Sequence, residues 1–358
     1  MTDANSTPRD AGFRMPAEWD PHEACWMWWP WARWVWDPGL RDPDGLSAAR
    51  DAYAAVALAI SRFEPVRMVT RPQDAADARA RCGDAIDIVE LPVDDAWARD
   101  TGPSFLLGPD GELAGVDWEF NNYGNEAWAG KEALPESAFA NDRRIASRLL
   151  ERLGARRFAA PLVMEGGAFH VDGTGTVLVT EECLLHPNRN PSLDRQEIES
   201  LLLEYTGSEK MIWLGRGLID DETNGHVDEL ACFVREGVVL ALTRDDPEDP
   251  DYAAVQDNLE RLAAATDARG RSLEIIALPA APPVWHRGVR LSLSYVNLYI
   301  ANGGIVMPSF DAPGHDAAAA AILAGAFPGR EIVQVPALDI FAGGGGIHCI
   351  TQQQPRIP

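Results

Sequence analysis

The chain has 358 residues, of which 46% are hydrophobic and 24% are charged, and its formal net charge is −24. This composition is typical of a folded globular protein, and the absence of a long apolar run argues against a membrane-spanning segment. Nucleic acid and anionic membranes are unfavourable partners for so acidic a chain, whereas a small cationic ligand would be steered towards it.

Residues 1–12 are polar and lack the apolar segment of a secretory signal, so we expect a loose tail there. Because no linker rich in Pro, Gly or Ser divides the remainder, we expect residues 13–358 to form a single domain. The five cysteines are scattered and form no CxxC pair. They predict no disulfide framework and favour a reducing, cytoplasmic setting.

Five segments have apolar residues at helical spacing. In chain order they are Ser47–Phe63, Phe139–Leu153, Ser192–Thr206, Asp251–Ala268 and Asp316–Phe327. Local signals mark some of the ends: we expect Ser192 to cap the third helix, and Gly207 follows it. A short β-like run comes after each helix, and these runs are Val66–Thr70, Arg157–Pro161, Met211–Leu214, Leu273–Leu278 and Glu331–Val335.

Each β-like run is followed by a polar, glycine-bearing stretch that leads into another apolar strand. The five stretches are Trp97–Gly102, Met164–Gly167, Glu222–Asp228, Ser292–Asn297 and Gly343–Gly346 before Cys349. They recur roughly every 60 residues, which indicates a repeated α/β module. The series predicts one closed ring that brings the five stretches to a common axis, with an open doubly wound sheet as the alternative. In the ring, the tryptophan-rich strand Cys25–Pro30 would pair near the C-terminal strand and complete the circle.

The four glycines Gly343–Gly346 run directly into Ile347-His348-Cys349. Glycine lets other groups approach the backbone closely, so such a run marks a site. We therefore expect the thiol of Cys349 to lie on a rigid strand, at the mouth of a cavity walled by bare backbone. Packing in the core is the alternative for any free cysteine. It is our interpretation of the other four, which are Cys25, Cys82, Cys183 and Cys232.

Together, the acids and the histidine of these stretches would suit a guanidinium substrate. Two carboxylates in one pocket match the planar N–H fork and would present its central carbon to the thiolate of Cys349. His226 would protonate departing ammonia and later deprotonate the hydrolytic water. A second carboxylate is needed to fix the tautomer of that imidazole, and Glu165 is the candidate.

Other interpretations remain open at this point. The sequence His170-Val171-Asp172 has the same form as His226-Val227-Asp228, and the two could together supply ligands for zinc or iron. Asp100 could instead form a turn, and Glu165 could cap one. A non-catalytic ring that binds a partner is a further alternative. A serine hydrolase is disfavoured because the Gly-x-Ser-x-Gly motif is absent.

Longer motifs carry a family resemblance along nearly the whole chain. They are Met15–Trp19, Trp97–Pro103, Glu165–Gly173, Thr180–Leu185, Asn188–Pro191, Glu222–Asp228, Ser294–Gly304 and Gly343–Pro355. In this combination the chain resembles the agmatine deiminases of the guanidino-group-modifying pentein superfamily. The resemblance implies a five-bladed α/β propeller of repeated ββαβ units and hydrolysis of agmatine to N-carbamoylputrescine and ammonia, in polyamine biosynthesis. It also implies a homo-oligomer that needs neither a metal nor an organic cofactor.

At the reacting centre, the resemblance implies a covalent amidino intermediate on Cys349. His226 would be the general acid and base with Glu165 as its partner. Asp100 and Asp228 would clamp the guanidinium.

Further along the substrate, the resemblance implies that Trp97 flanks the alkyl stem. Glu222 would meet the distal ammonium, with Asp221 and Asp220 as alternative anions. Gly346 stands where the family usually has Asn, which removes a side-chain amide beside the nucleophile.

The segment Phe120–Asn125 also departs from the usual Phe-Asn-Ala/Gly-Trp-Gly-Gly of the family. Both departures fall near substrate loops, so deimination of arginine, of C-terminal peptidyl-arginine or of another guanidine remains an alternative. A substrate carboxylate would require a basic partner, for which Arg99 and Arg216 are the candidates nearest in the sequence.

Overall fold

The structure is a computed structural model that describes residues 6–126 and 133–357. Its strands are β1 His22–Trp28, β2 Val66–Thr70, β3 Asp87–Glu90, β4 Ser104–Leu107, β5 Leu113–Glu119, β6 Arg156–Val163, β7 Phe169–Val171, β8 Thr176–Thr180, β9 Lys210–Leu214, β10 Ala231–Arg235, β11 Val238–Thr243, β12 Glu274–Pro279, β13 Trp285–His286, β14 Val289–Arg290, β15 Tyr299–Ala301, β16 Gly304–Ser309, β17 Glu331–Pro336 and β18 Gln352–Pro355. Its α-helices are α1 Arg33–Trp36, α2 Gly45–Ile60, α3 Ala75–Cys82, α4 Ala98–Thr101, α5 Asp142–Leu153, α6 Glu181–Leu184, α7 Arg195–Thr206, α8 Tyr252–Ala264, α9 Pro313–Ala326 and α10 Leu338–Phe341. Short 3-10 helices are Pro72–Asp74, Gly83–Ala85, Glu136–Ala138, Gly166–Ala168 and Val227–Glu229. Of the predicted loose tail, residues 1–5 lie outside the described residues.

One sheet plan is repeated along the described part of the chain. In β4–β5–β6, β7–β8–β9, β10–β11–β12 and β15–β16–β17, the first two strands are antiparallel and the third is parallel to the second. A further sheet pairs β18 antiparallel with β1, and β1, β2 and β3 run parallel. β13 and β14 form a separate hairpin. The predicted mixed α/β class is confirmed, whereas closure of the sheets into a five-bladed ring stays a prediction.

A helix makes the crossover between each pair of parallel strands. The five predicted helices correspond to α2, α5, α7, α8 and α9, with ends that differ by a few residues. The predicted Ser192 cap is wrong. Helix α7 begins at Arg195 because Asp194 accepts from the backbone N–H of Glu197, while the Glu197 side chain accepts from the backbone of Asp194. None of the helices in the described ranges combines the length and apolar character that crossing a membrane requires.

The tryptophan-rich strand pairs with the last strand, as predicted. In the β1–β18 ladder, Ala24 lies opposite Gln354 and Trp26 lies opposite Gln352. The buried indole N–H of Trp26 donates to Oε1 of Gln354 at 2.9 Å. The first and the last strand of the described chain therefore share one sheet. Trp28, at the end of β1, is fully buried.

The five polar stretches occupy equivalent places, because each one ends just before the first strand of its antiparallel pair. These strands are β4, β7, β10, β15 and β18. Cys349, however, does not lie on a strand as expected. Residues 347–350 form a turn, the hydroxyl of Thr351 donates to the carbonyl oxygens of Ile347 and His348, and β18 begins only at Gln352. The glycines fold into successive turns, with Gly344 at φ +115°, and this delays the strand.

Candidate functional site

Three of the predicted residues meet around a glycine. A Cβ added at Gly167 would lie 2.7 Å from Nδ1 of His226, 2.8 Å from Oδ2 of Asp228 and 3.0 Å from Oδ1 of Asp100. Only a residue without a side chain leaves room for this convergence. The thiol of Cys349 points at the same group, 3.5 Å from Oδ2 of Asp228. The structure therefore brings together groups from four of the five repeated stretches.

His226 lies between two carboxylates without a close hydrogen bond to either. Its Nε2 is 3.6 Å from Oε2 of Glu165, and its Nδ1 is 3.9 Å from Oδ1 of Asp100. Neither ring nitrogen has a hydrogen-bond partner among the described residues. Burial alone would lower the pKa of His226, but Asp100, Cys183 and Glu165 raise this pKa well above its usual value. The protonated imidazolium is therefore the favoured form.

Glu165 stays charged because a buried arginine holds it. Nε of Arg189 donates to Oε1 of Glu165 at 2.7 Å. Burial would raise the pKa of Glu165, but Arg189 and His226 lower it. Sequence reasoning singled out Glu165 and missed Arg189, which lies within the motif Asn188–Pro191.

Both carboxylate oxygens of Asp100 accept hydrogen bonds, and the pKa of this residue is raised. Its Oδ1 accepts from the backbone N–H of Gly167 and its Oδ2 from the hydroxyl of Tyr123, both at 2.9 Å. Burial and the charges of Asp228 and Glu165 raise the pKa of Asp100 to about 6. The carboxylate is therefore ionised at neutral pH.

One carboxylate oxygen of Asp228 forms a hydrogen bond, and the other has no partner among the described residues. Nδ1 of His348 lies 2.8 Å from Oδ2 of Asp228, whereas Oδ1 is buried without a partner in the described part of the chain. On its other side, Nε2 of His348 lies 2.9 Å from Oε1 of Glu18, which also accepts from Arg99 at 3.1 Å. Burial and Arg99 would lower the pKa of His348, but Glu18 and Asp228 raise it. Burial would raise the pKa of Asp228, but the hydrogen bond to His348 lowers it and fixes the orientation of the carboxylate. Arg99 is thus buried against Glu18 and does not face a substrate.

The thiol of Cys349 is buried at 5% exposure. Burial, followed by the charges of Asp228, Glu229 and Asp100, raises its pKa well above the usual value. The sulfur therefore remains a neutral thiol in the protein alone. An entering cation would favour its ionisation, because it offsets the surrounding carboxylates.

A cavity opens beside the β13–β14 hairpin. It is lined by the acids Asp220, Glu222 and Glu229, the basic groups His286, Arg287 and Arg290, and the glycines Gly343, Gly344 and Gly345, among others. Cys349 does not line it, but Gly345 lies between the two: a Cβ added to Gly345 would lie 3.2 Å from Sγ of Cys349 and 2.8 Å from the ring of Trp97. Three of the four glycines therefore wall a cavity, and Trp97 lies beside the nucleophile.

Two predicted substrate-binding residues are engaged elsewhere. The carboxylate of Asp221 accepts from the backbone and the hydroxyl of Thr223 and from the backbone of Gly225, so it shapes its own loop. Gly346 packs against side chains, since an added Cβ would lie 2.5 Å from the ring of Phe341. Neither residue lines the cavity, in contrast to Glu222 and Asp220.

A left-handed turn carries Tyr123 into the site. Four consecutive residues have positive φ: Asn122 at 59°, Tyr123 at 56°, Gly124 at 85° and Asn125 at 50°. Positive φ is costly for an aromatic residue, and Asn and Gly tolerate it best. Asn amides hold the turn, with Nδ2 of Asn122 donating to Oδ1 of Asn125 at 3.2 Å. The sequence identified this segment as a departure but did not predict the bond from Tyr123 to Asp100.

The residues that could bind a metal ion form separate clusters. The described residues contain three groups with converging ligand atoms: Glu18, His170 and His348; Glu165, Cys183 and His226; and Asp228, Glu229 and Cys349. Arg99 and Arg189 already neutralise the acids of the first two groups, which opposes a further cation.

The predicted metal arrangement is not assembled, because no group contains both His170 and His226. Asp172 accepts from the backbones of Thr174 and Thr176 instead. Cys183, interpreted as a packing residue, is indeed buried, yet its sulfur also lies within 4.8 Å of a His226 ring nitrogen.

Known proteins resemble the chain over its whole length. Residues 14–355 match the Porphyromonas-type peptidyl-arginine deiminase family. Agmatine deiminases from Pseudomonas aeruginosa and Pseudomonas fluorescens are 46% and 44% identical to the chain, each over 99% of both sequences. A solved structure of the agmatine deiminase of Enterococcus faecalis matches with a TM-score of 0.91 at 36% identity, covering 99% of each chain. The resemblance to agmatine deiminases is therefore confirmed, and the chain belongs to the Porphyromonas-type peptidyl-arginine deiminase family.

Proposed function

We propose that the protein hydrolyses agmatine to N-carbamoylputrescine and ammonia through an amidino intermediate on Cys349. The observation that carries this proposal is an unpartnered buried acceptor next to the thiol, Oδ1 of Asp228. Leaving such an atom unpaired costs about 1–3 kcal/mol, so the site is built to be completed by a ligand. A guanidinium supplies the planar set of N–H donors that Asp100 and Asp228 can accept.

In the first half-reaction, the guanidinium offsets the carboxylates and the thiol of Cys349 loses its proton to solvent. The thiolate attacks the central carbon, and a carbon–sulfur bond forms. As the carbon–nitrogen bond breaks, the imidazolium of His226 gives its proton to the departing nitrogen, which leaves as ammonia. His226 is then neutral, and Cys349 carries the amidino group.

In the second half-reaction, neutral His226 takes a proton from water, and the hydroxide attacks the amidino carbon. The carbon–sulfur bond breaks, the hydroxyl proton passes to the departing sulfur, and the ureido product and the thiol of Cys349 are released. Glu165 stabilises the imidazolium that is formed again. The charge on Glu165 is maintained by Arg189.

The charged residues that line the cavity favour agmatine, although one of them would also suit a substrate with a carboxylate. Asp220 and Glu222 line the cavity that Gly345 shares with the surroundings of Cys349, and they suit a distal ammonium. Arg287 also lines it, and it would suit the carboxylate of arginine or of a C-terminal peptidyl-arginine. Arg290 is already bound by both carboxylate oxygens of Asp249, at 3.1 and 2.7 Å. Arg216, the other sequence-based candidate, is exposed and does not line the cavity.

Ammonia release from agmatine, arginine and a peptide with C-terminal arginine tests the assignment. We expect kcat/KM to be highest for agmatine, by about tenfold or more, because only agmatine presents a cation to Asp220 and Glu222 without a carboxylate. Arg287→Gln provides the matched control, and it should leave agmatine turnover unchanged. A wild-type preference for arginine that Arg287→Gln abolishes would overturn agmatine as the substrate and retain deimination.

We also propose that the sheets close into a five-bladed propeller, with residues 13–358 as one catalytic domain. Pairing of β1 with β18 and the proximity of β18 to β4 support closure. The five free cysteines support a reducing, cytoplasmic setting. Exposed Trp34 and Trp285 support a homo-oligomer, which light scattering would test.

A further inference from the structure

The fourth repeated stretch, Ser292–Asn297, also contributes a side chain to the site. It ends on Asn297, shortly before β15, just as the stretch with His226 ends shortly before β10. Asn297 is fully buried, with an exposure of 0%. Its carboxamide lies against Cys349, so all five stretches meet at this point.

The hydrogen bonds of Asn297 define its orientation. Oδ1 accepts from the backbone N–H of His348 at 2.8 Å, which assigns the other end of the amide as Nδ2. Nδ2 has two hydrogens, and two acceptors face it. These are Sγ of Cys349 at 3.2 Å and Oε1 of Glu229 at 3.1 Å. Every polar hydrogen and the oxygen of the amide are therefore used.

Gly346 makes this placement possible. A Cβ added at Gly346 would overlap Oδ1 of Asn297 and come within 2.6 Å of its Cγ. The glycine was expected to remove an amide from beside the nucleophile. Instead, an amide from the fourth stretch occupies that position, and the bare backbone of Gly346 admits it.

Glu229 accepts the second N–H of the Asn297 amide, but it is a weaker acceptor than the thiolate. It is buried, and burial followed by the charge of Asp228 raises its pKa well above the usual value. This disfavours the charged carboxylate of Glu229, so a negatively charged sulfur is the stronger acceptor for the amide.

We propose that Asn297 is a positioning residue that holds Sγ of Cys349 towards the substrate and stabilises the thiolate by donating an N–H to it. This proposal deepens the proposed function and rests on Cys349 as its nucleophile. A hydrogen bond to the charged form favours ionisation, and the bond to His348 prevents the amide from turning away. The other charged or titratable groups that face the sulfur are Asp228, Glu229, Asp100 and His226.

The pH dependence of Cys349 alkylation by iodoacetamide tests this role directly, because only the thiolate reacts. The rate in Cys349→Ala is subtracted to remove the other cysteines. We expect Asn297→Ala to raise the midpoint by about one pH unit or more. It should also lower kcat about tenfold or more while changing KM for agmatine much less, since the lost bond acts on the nucleophile.

Two further variants keep the test decisive. Gly346→Ala should shift the midpoint in the same direction although Asn297 is intact, because the added methyl displaces its amide. Asn302→Ala is the matched control: that amide bonds the backbone of His22 instead, and its loss should leave the midpoint unchanged. If Asn297→Ala fails to fold, Gly346→Ala decides.

A wild-type midpoint in folded Asn297→Ala, or in Gly346→Ala, would overturn the positioning role. Normal deimination by the wild-type protein would leave the proposed function standing in that case. Conversely, absence of ammonia release from any guanidine would contradict the proposed function. The alkylation midpoints would still measure what Asn297 does to the thiol.

Discussion

Two of the buried clusters that combine a histidine with carboxylates in the described part of the chain differ in how completely their polar atoms are paired. In the first, Nδ1 of His22 lies 3.1 Å from Oε1 of Glu64, and Nε2 lies 2.9 Å from a backbone carbonyl. The hydroxyl of Tyr299 donates to Glu64 at 2.6 Å. In the second, the nitrogens of His226 stay 3.6 Å from Glu165 and 3.9 Å from Asp100.

A difference of less than one ångström in these separations distinguishes the two clusters. The cluster of His22, Glu64 and Tyr299 satisfies its own hydrogen bonds, so it contributes to the stability of the fold. The cluster around His226 leaves polar atoms of His226 and Asp228 without hydrogen-bond partners in the described part of the chain. Open, buried polar groups with shifted pKa values are the arrangement expected of an active site.

The largest effect is expected for His226→Gln. Without a group that donates and removes protons, kcat for ammonia release should fall about 10³-fold. Thermal stability should be retained, because the replaced ring has no hydrogen bond in the described part of the chain. Steady-state kinetics and a melting curve on the same sample provide the check. Retention of a tenth of the wild-type kcat would remove His226 from the mechanism.

Asp228→Asn should reduce kcat/KM for agmatine by about 10²-fold. The amide presents N–H groups where the guanidinium needs an acceptor. The substitution also removes a negative charge that attracts the cation. Stabilisation of the protein by agmatine, measured as a shift in melting temperature, should be lost in parallel. A variant that is stabilised by agmatine as strongly as wild type would show that Asp228 does not bind the substrate.

Tyr123→Phe should have a moderate, pH-dependent effect. Activity requires ionised Asp100, whose pKa is about 6, so kcat/KM should fall as the pH drops through that value. Loss of the 2.9 Å hydroxyl bond removes a donor to the ionised form, which raises this pKa. The acid limb should move to higher pH, with about a tenfold loss near pH 6 and a smaller loss above pH 8. The other groups facing Asp100 are His226, Asp228 and Glu165, and they are unchanged in the variant. An acid limb identical to that of wild type would contradict this account.

The smallest effect on turnover is expected for His22→Gln. This change breaks the paired cluster, which contains none of the groups proposed to contact the substrate, so the melting temperature should fall by several degrees. The kcat for agmatine should stay within about twofold of wild type. The opposite pattern, a loss of turnover without loss of stability, would show that complete pairing does not distinguish structural from catalytic clusters.

The sequence predicted the parts of this site that lie within repeated local patterns. Cys349, His226 and Asp100 stand out because each belongs to a polar stretch at the same place in its module. The fourth stretch carried the same signal for Asn297, but an amide has no reactivity of its own and was overlooked. Cys349 was assigned to a strand because a short apolar run does not distinguish a strand from a turn.

Partners distant in sequence could not be predicted in the same way. The link from Asp228 through His348 to Glu18 joins residues more than 100 positions apart, and no local spacing encodes it. The turn that carries Tyr123 had a weak signal in its Asn and Gly residues, which tolerate positive φ. Its bond to Asp100 joins the segments that precede β4 and follow β5, and no local spacing predicts that contact.

Mass analysis of the protein quenched during turnover of agmatine tests the central claim most directly. The peptide that contains Cys349 should gain the mass of agmatine minus ammonia, and the gain should be absent in Cys349→Ala. Ammonia release by wild-type protein at every time point without this adduct, or with the adduct on another residue, would contradict the account.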